Sequence, residues 1–309
     1  MPAPARSSAP SGPCGRFAPT PSGPLHLGSL LAAVGSYLSA RSASGRWLLR
    51  IEDLDRNRAL PGIANQMLRV LESFGFQWDG NVEFQSNRTD SYEEALARLR
   101  SAGLSYACRC SRSRLAAQAL EPGEEPVYPG TCRNDPAASL GPHALRFRIP
   151  DDPSSVIDFD DRLQGPVSED CHRASGDFVI RRRDGFIAYH LAVVVDDELQ
   201  GVTEVVRGCD LLASTPRQIL LQRALGYRTP AYTHLPLLLE ADGRKLAKSR
   251  HAVPLDPGRA APTLYDALAL LRQGPPAGLA AAPIPEIWDW ALSNWRPEQL
   301  KGWRELRLP

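Results

Sequence analysis

Apolar residues at Leu27, Leu30, Leu31, Val34 and Leu38 recur at intervals of three and four, which predicts a helix starting near Leu25 or His26. Before it come a short buried run, Arg16-Phe17-Ala18-Pro19, and a Pro/Gly-rich loop from Thr20 to Pro24. Trp47 to Ile51 reads as a second strand that ends in Glu52 and Asp53. Pro61 opens a helix bearing Ile63, Met67, Val70, Leu71 and Phe74, and Gly75 stops it. Ser91-Tyr92-Glu93-Glu94 has the form of a capping box before Leu96 and Leu99, with Gly103 as the stop. Strand and helix thus alternate over the first hundred residues, the pattern of a parallel sheet in an α/β domain.

From Tyr106 to about Asp177 the pattern breaks into Cys, Pro, Gly and short strands, among them Ala144 to Ile149 and Val156 to Phe159. This predicts a small α+β insertion. The core resumes at Phe178-Val179-Ile180, followed by a turn at Asp184-Gly185 and a strand from Val202 to Arg207. Thr215-Pro216 starts a helix that Gly226 ends, Pro236 to Leu239 is a strand, and Arg244 to Arg250 is a basic loop. Thr263 to Leu271 and Ile284 to Leu292 look helical. The expected organisation is a leader over 1–13, a catalytic domain over 14–105 and 178–250, a Cys-rich insertion over 106–177, and a short helical C-terminal segment over 251–309.

Composition narrows the class. The 309 residues carry 36 basic and 35 acidic side chains, a net charge of +1, with 43% hydrophobic residues. That excludes a fibre, a disordered chain and an indiscriminate nucleic-acid binder, while leaving room for a local RNA-binding patch. No apolar run reaches the roughly 18 residues of a membrane span, and the N-terminus lacks the apolar core of a signal peptide. The expectation is a cytoplasmic protein without membrane contact, whose six Cys are thiols or metal ligands.

Three segments carry candidate chemistry. In Ala18 to Ser29 a strand, a Gly/Pro turn and a helix N-terminus make a natural phosphate site. Gly23 and Gly28 allow close backbone approach, and His26 could donate to a phosphate or be an incidental surface His. In Lys245-Leu246-Ala247-Lys248-Ser249 stand two of only three Lys in the chain, where a compact ammonium suits transient phosphate contact. A solvated basic loop is the alternative. In Cys108-Arg109-Cys110 and Cys132, three thiols within 25 residues suggest a tetrahedral zinc site. Arg181-Arg182-Arg183 reads as a solvated strand end that could touch RNA.

His26-Leu27-Gly28-Ser29 and the Lys245 to Ser249 loop, in that order across an α/β core, resemble the two signatures of the class I aminoacyl-tRNA synthetases. Arg16 to Gly23, Arg50-Ile51-Glu52-Asp53-Leu54-Asp55, Val194-Val195-Asp196-Asp197 and Val206-Arg207-Gly208 are similar to the glutamyl-type subfamily. With only 59 residues after Arg250, a Cys-rich insertion and Asn294-Trp295-Arg296, the chain resembles the branch without an anticodon-binding domain, the glutamyl-Q tRNA(Asp) synthetases.

The resemblance implies a Rossmann-type α/β catalytic domain with a zinc-containing insertion. The implied activity is ATP- and magnesium-dependent activation of L-glutamate and its transfer to queuosine in tRNA(Asp), by a monomer. It implies His26, Lys245 and Lys248 as catalytic residues, and Pro19, Gly23, His26, Gly28, Ser29 and Lys248 around ATP. Arg16, Ala18, Thr20, Glu52, Tyr189 and Arg207 would hold glutamate: the two Arg on carboxylates, Glu52 on the ammonium, Tyr189 on an oxygen. One structural zinc would be held by Cys108, Cys110, Cys132 and Tyr128, with His143 the other candidate for the fourth ligand.

Ser29 stands in place of the first signature's second His, Leu246 and Ala247 vary the second signature, and His190 replaces the usual Asn. Two other readings remain: a truncated glutamyl-tRNA synthetase that charges a tRNA 3′ end, and a non-catalytic RNA- or nucleotide-binding relative.

Overall fold

The computed structural model describes residues 12–116, 126–239 and 253–307. The leader up to residue 11 and both signature lysines, Lys245 and Lys248, lie outside the described residues.

The chain begins with β1 (Cys14–Phe17), α1 (Leu27–Ser42), β2 (Arg46–Ile51), α2 (Ile63–Ser73) and β3 (Glu83–Phe84), the three strands forming one parallel sheet in the order β1-β2-β3. The helices fall where the apolar spacing put them. Gly75, at φ 76°, closes α2 and stands so near Ile284 and Trp288 that a Cβ there would lie 2.6 Å from Ile284 Cγ2. Next comes α3 (Thr89–Ser101). It begins two residues before Ser91, so the capping-box pattern does not start it. Arg88 fixes the entry instead, with its guanidinium 3.2 Å from both Glu83 and Asp196.

A second, three-stranded antiparallel sheet, β4 (Ser105–Cys108), β5 (Ala144–Phe147) and β8 (Val179–Arg181), carries the cysteine segment, with α4 (Arg112–Ala116) on the way. Between β5 and β8 run the hairpin β6 (Val156–Asp161) and β7 (Gly165–Asp170) and the short α5 (Cys171–Ala174). After β8 follow α6 (Tyr189–Leu199), β9 (Glu204–Gly208), α7 (Thr215–Leu225), β10 (Ala231–Leu235) and β11 (Leu237–Leu239). The third sheet has the order β7-β6-β10-β9, with β6, β10 and β9 mutually parallel. Thus β8, which the apolar pattern assigned to the core, pairs inside the small sheet, and β6, assigned to the insertion, pairs with core strand β10. Short strands without turn signals carry no record of their partner.

The Thr203 amide donates to the Cys14 carbonyl at 2.9 Å, setting the approach to β9 beside the start of β1. The parallel strands then run β3-β2-β1-β9-β10-β6, and both faces are covered. Trp47, Leu49 and Val206 pack with α1, α8 (Ala260–Leu270) and α9 (Ile284–Asn294); Leu48 and Val205 face α3, α6 and α7 on the other side. The C-terminal segment is helical as expected but also returns a strand, β12 (Glu305–Arg307), parallel to β11. Trp288 of α9 donates to the Phe74 carbonyl at 2.9 Å and packs against Tyr37 and Phe76. No described helix is long and apolar enough to cross a membrane.

Candidate active site

The order of the parallel strands reverses between β1 and β9. In open α/β sheets the crevice for a ligand opens there, outside the carboxyl ends of the strands. A cavity of about 440 Å³ occupies this place, floored by the ends of β1, β2 and β9 and by the start of α1. Arg16, Ala18, Thr20, Glu52, Tyr189 and Arg207 all line it, together with Pro19, His26, Gly28 and Ser29. Gly23 does not; a Cβ there would meet open space.

His26 caps α1. Its Nδ1 accepts from the Ser29 amide at 3.4 Å, which puts the proton of the neutral ring on Nε2. One amide of the helix start is therefore spoken for by the signature His itself.

Behind Arg16 and Glu52 of the cavity lining lies a network of buried charge. Arg16 Nε donates to Asp197 Oδ1 at 3.2 Å, and Arg50 Nη2 donates to the same oxygen at 2.7 Å. Burial disfavours the Asp197 carboxylate, but the two guanidiniums outweigh it and hold its pKa below the ordinary value. Asp196 accepts from Tyr92 Oη at 2.9 Å and Gln85 Nε2 at 2.8 Å; its burial prevails over Arg50, so its pKa is raised. Glu52 lies 3.8 Å from Arg50, and burial, only partly offset by Arg50 and Arg16, pushes its pKa up to about 7.

Arg207 is 5% exposed. Its Nε donates to His234 Nε2 at 3.0 Å, and its Nη2 donates to Thr215 Oγ1 at 2.9 Å and the Leu211 carbonyl at 3.2 Å. Nη1 has no hydrogen-bond partner among the described residues. No carboxylate there forms an ion pair with this side chain. A buried cation without a counter-ion is costly unless a ligand supplies one.

Sequence reasoning missed Arg50, His234 and Thr215, and gave Asp196 and Asp197 no role. Arg50 and Glu52 share one face of a strand at i, i+2, and two acids ending the apolar run Leu191 to Val195 were the available signals. His234 and Thr215 had none.

Beside this cavity lies a larger one of about 1,120 Å³, which Thr20, Glu52 and Tyr189 also line. His190 faces this second space rather than the first, with a pKa lowered to about 3 by burial and by the nearby Arg217 and Arg207. Arg58, Arg146, Arg182, Arg183 and Arg217 line the same space. Within the basic run, Arg182 is committed to Asp55 at 2.7 Å and Asp184 at 2.5 Å.

Cys108 and Cys110, which line this space, and Cys132 have all their Sγ atoms within 4.8 Å of one another. Cys110 and Cys132 Sγ are 3.7 Å apart, and Tyr128 Oη is 3.4 Å from Cys108 Sγ. A tetrahedral ion with metal–sulfur bonds of about 2.3 Å sets an S···S edge of about 3.8 Å. The three thiols are compatible with such an ion, and the Tyr128 phenol stands next to them, accepting from the Cys132 amide at 2.8 Å. His143 instead places Nδ1 2.8 Å from the Gly141 carbonyl and is not in the cluster. Cys14, Cys171 and Cys209 lie elsewhere as free thiols.

Residues 14–265 match the family model "tRNA synthetases class I (E and Q), catalytic domain". The chain is 50% identical over 295 residues to the glutamyl-Q tRNA(Asp) synthetase of Aromatoleum aromaticum, covering 93% of this chain and 91% of that one. It is 51% identical over 283 residues to that of Dechloromonas aromatica, covering 91% and 93%. Its fold matches a solved glutamate-tRNA synthetase from Elizabethkingia anophelis with a TM-score of 0.78 at 25% identity, over 97% of this chain and 68% of that one.

Proposed function

The chain belongs to the class I tRNA synthetases for glutamate and glutamine, and on that premise we propose that it activates L-glutamate with ATP and transfers the glutamyl group to queuosine in the anticodon of tRNA(Asp). The observation that carries the first half is Arg207, a buried guanidinium with an unpartnered Nη1 in a cavity that Glu52 also lines. Glutamate brings a carboxylate for the one and an ammonium for the other. The second half rests on the likeness, at half identity over nine tenths of both chains, to enzymes named for that transfer.

In this reading the glutamate α-carboxylate attacks the α-phosphorus of ATP, forming glutamyl adenylate and releasing pyrophosphate. His26 Nε2–H and the ammonium groups of Lys245 and Lys248 stabilise charge that builds on the phosphates, alongside the magnesium that accompanies ATP. Pro19, Gly23, Gly28 and Ser29 shape the nucleotide side, Gly23 from just outside the cavity. Arg16, Ala18, Thr20, Glu52, Tyr189 and Arg207 form the glutamate side. A queuosine ring hydroxyl then attacks the adenylate carbonyl and AMP leaves. The larger cavity shares Thr20, Glu52 and Tyr189 with the smaller one, so a nucleoside seated there would lie beside the adenylate. One structural zinc on Cys108, Cys110, Cys132 and Tyr128 would tie β4 to the loop that carries Cys132. Residues 14–105 and 178–250 supply most of the catalytic unit and 106–177 the zinc-bearing insertion, with β6 reaching back to β10 and β8 out to the small sheet, in a cytoplasmic monomer.

The test is pyrophosphate exchange with each of the twenty amino acids, then mapping of labelled glutamate on tRNA(Asp) with and without queuosine. Exchange with glutamate alone and label confined to an anticodon fragment of queuosine-containing tRNA are expected. Label on the 3′-terminal fragment would favour a synthetase that charges the tRNA end, and no exchange at all would favour a non-catalytic relative.

A further inference from the structure

Arg207 is held from behind by a chain of polar groups. Its Nε–H can only donate, so His234 Nε2, 3.0 Å away, must accept. The imidazole is then neutral with its proton on Nδ1, which donates to Asp161 Oδ2 at 2.6 Å. His234 and Asp161 are 0% and 2% exposed. Asp161 is fixed in turn: its Oδ1 accepts from the amides of Leu163, Gln164 and His234 at 3.0, 2.9 and 3.2 Å. Its pKa lies below the ordinary value, because His234 and these amides outweigh its burial. The His234 ring stacks on Tyr232 at 10°, and the Arg207 guanidinium lies 5.6 Å from the centre of the Tyr232 ring. Every rotatable group between the β6–β7 turn and the guanidinium is thus pinned.

We propose that Asp161 and His234 are positioning residues for amino-acid recognition: Asp161 sets the His234 tautomer, and His234 Nε2 aims the Arg207 guanidinium so that Nη1 meets the substrate carboxylate. The proposal rests on the reading of Arg207 as a carboxylate ligand. It gives the β6–β7 hairpin, which does not line the cavity, a share in choosing the substrate. A guanidinium held at Nε and Nη2 loses little rotational freedom when it forks onto a carboxylate, whereas one released from His234 must be ordered at the moment of binding.

Two substitutions at one position separate positioning from scaffolding. Gln places its terminal group near the imidazole Nε2, so His234→Gln retains an acceptor for Arg207 and gives up the bond to Asp161. Asn places its amide near Nδ1, so His234→Asn retains a donor for Asp161 and gives up Arg207. The proposal expects His234→Asn to raise the KM for glutamate about tenfold with kcat and the KM for ATP within about twofold, and His234→Gln to stay near wild type. If the side chain only ties β10 to β6, the order reverses: His234→Gln suffers and His234→Asn does not. Asp161→Asn adds a third arm. Its amide N–H₂ facing Nδ1 drives the proton to Nε2, which then confronts the Arg207 Nε–H donor to donor. A rise in glutamate KM at unchanged melting temperature is expected; an unchanged KM in Asp161→Asn and His234→Asn overturns the proposal. Arg207→Ala is the control for its premise. If that variant keeps a normal glutamate KM, the reading of Arg207 fails; if it loses glutamate and the other variants do not, only the relay fails.

Discussion

Glu52 titrates where enzymes work, and that has a measurable consequence. Burial pushes its carboxyl up to about 7, because Arg50 at 3.8 Å and Arg16 offset only part of the lost hydration. Only the ionised form can take the ammonium of glutamate. The apparent KM for glutamate then rises as pH falls through the pKa of the free enzyme, by the factor 1 + 10^(pKa − pH). Relative to its alkaline limit it is roughly elevenfold higher at pH 6, twofold at pH 7 and near unity at pH 8. At saturating glutamate the rate changes little, because the bound ammonium holds Glu52 ionised. Glutamate-dependent pyrophosphate exchange from pH 6 to 8.5 measures this, and Glu52→Gln supplies the control, with a high, pH-flat KM. The same shift acts on stability. Between 4.5, the ordinary value, and about 7 the folded chain keeps a proton that the unfolded chain has lost, so ligand-free stability falls as pH rises across that window. The whole effect is at most ~3 kcal/mol. Glu52→Gln should therefore melt higher than the wild type at pH 8 while losing its response to glutamate. A wild-type KM that is flat or rises with pH over this range would refute the argument.

Arg207→Ala should raise the glutamate KM by roughly 100-fold, since truncating one partner of a buried charge pair costs about 3 kcal/mol, while the ATP KM stays within about twofold; exchange kinetics decide it. Lys248→Ala should lower the adenylation kcat by roughly 100-fold and leave the glutamate KM in place, as for a contact made mainly in the transition state; the reverse pattern, tighter in rate and weaker in affinity, would contradict that role. Trp288→Ala should cost about 3–5 kcal/mol in urea denaturation, because the ring is buried against Tyr37 and Phe76 and donates to Phe74; a loss below about 1 kcal/mol would mean that α9 is not docked. Tyr128→Phe should weaken zinc by at least about 100-fold in competition with a chromophoric chelator while His143→Ala leaves it unchanged; the opposite ranking would make His143 the fourth ligand.

The helices α1, α2 and α7 were legible because spacing and punctuation agreed: apolar residues on one face, Pro at the start of α7, and Gly226 at φ 67° after its end. The six residues of the glutamate set do meet in one cavity, because β1, β2 and β9 all point their carboxyl ends at the same crevice. Pairing was not legible. β6 and β8 are short, and a strand of three to six residues reads the same beside any neighbour, so the partition at residue 178 follows composition rather than hydrogen bonds. The start of α3 was misplaced because a tertiary tie from Arg88 outweighed a local capping signal. The groups behind Arg207 were invisible for a different reason: His234 stands 27 residues from its acceptor contact and 73 from its donor contact, and nothing in a linear pattern joins them.

The charge arrangement bears on why glutamate, rather than glutamine, suits the cavity. Arg16 and Arg50 share Asp197, and Arg50 and Arg88 share Asp196. Two groups that line the cavity have unmet demand: Arg207, with no carboxylate paired to it among the described residues, and Glu52, whose pKa burial raises further than its arginine neighbours lower it. A ligand that satisfies both must present a carboxylate and an ammonium at once. A neutral or basic amino acid offers those two groups, but its only carboxylate is the one that must react with ATP. A carboxylate clamped by a dedicated, fully desolvated cation is a poorer nucleophile toward phosphorus, so the best substrate is one with a second carboxylate to give to Arg207. Glutamine has the same reach but offers a neutral amide there, and a buried cation left without its counter-ion costs about 3–5 kcal/mol. Selectivity in this reading comes from Arg207, buried in the cavity with no carboxylate partner among the described residues.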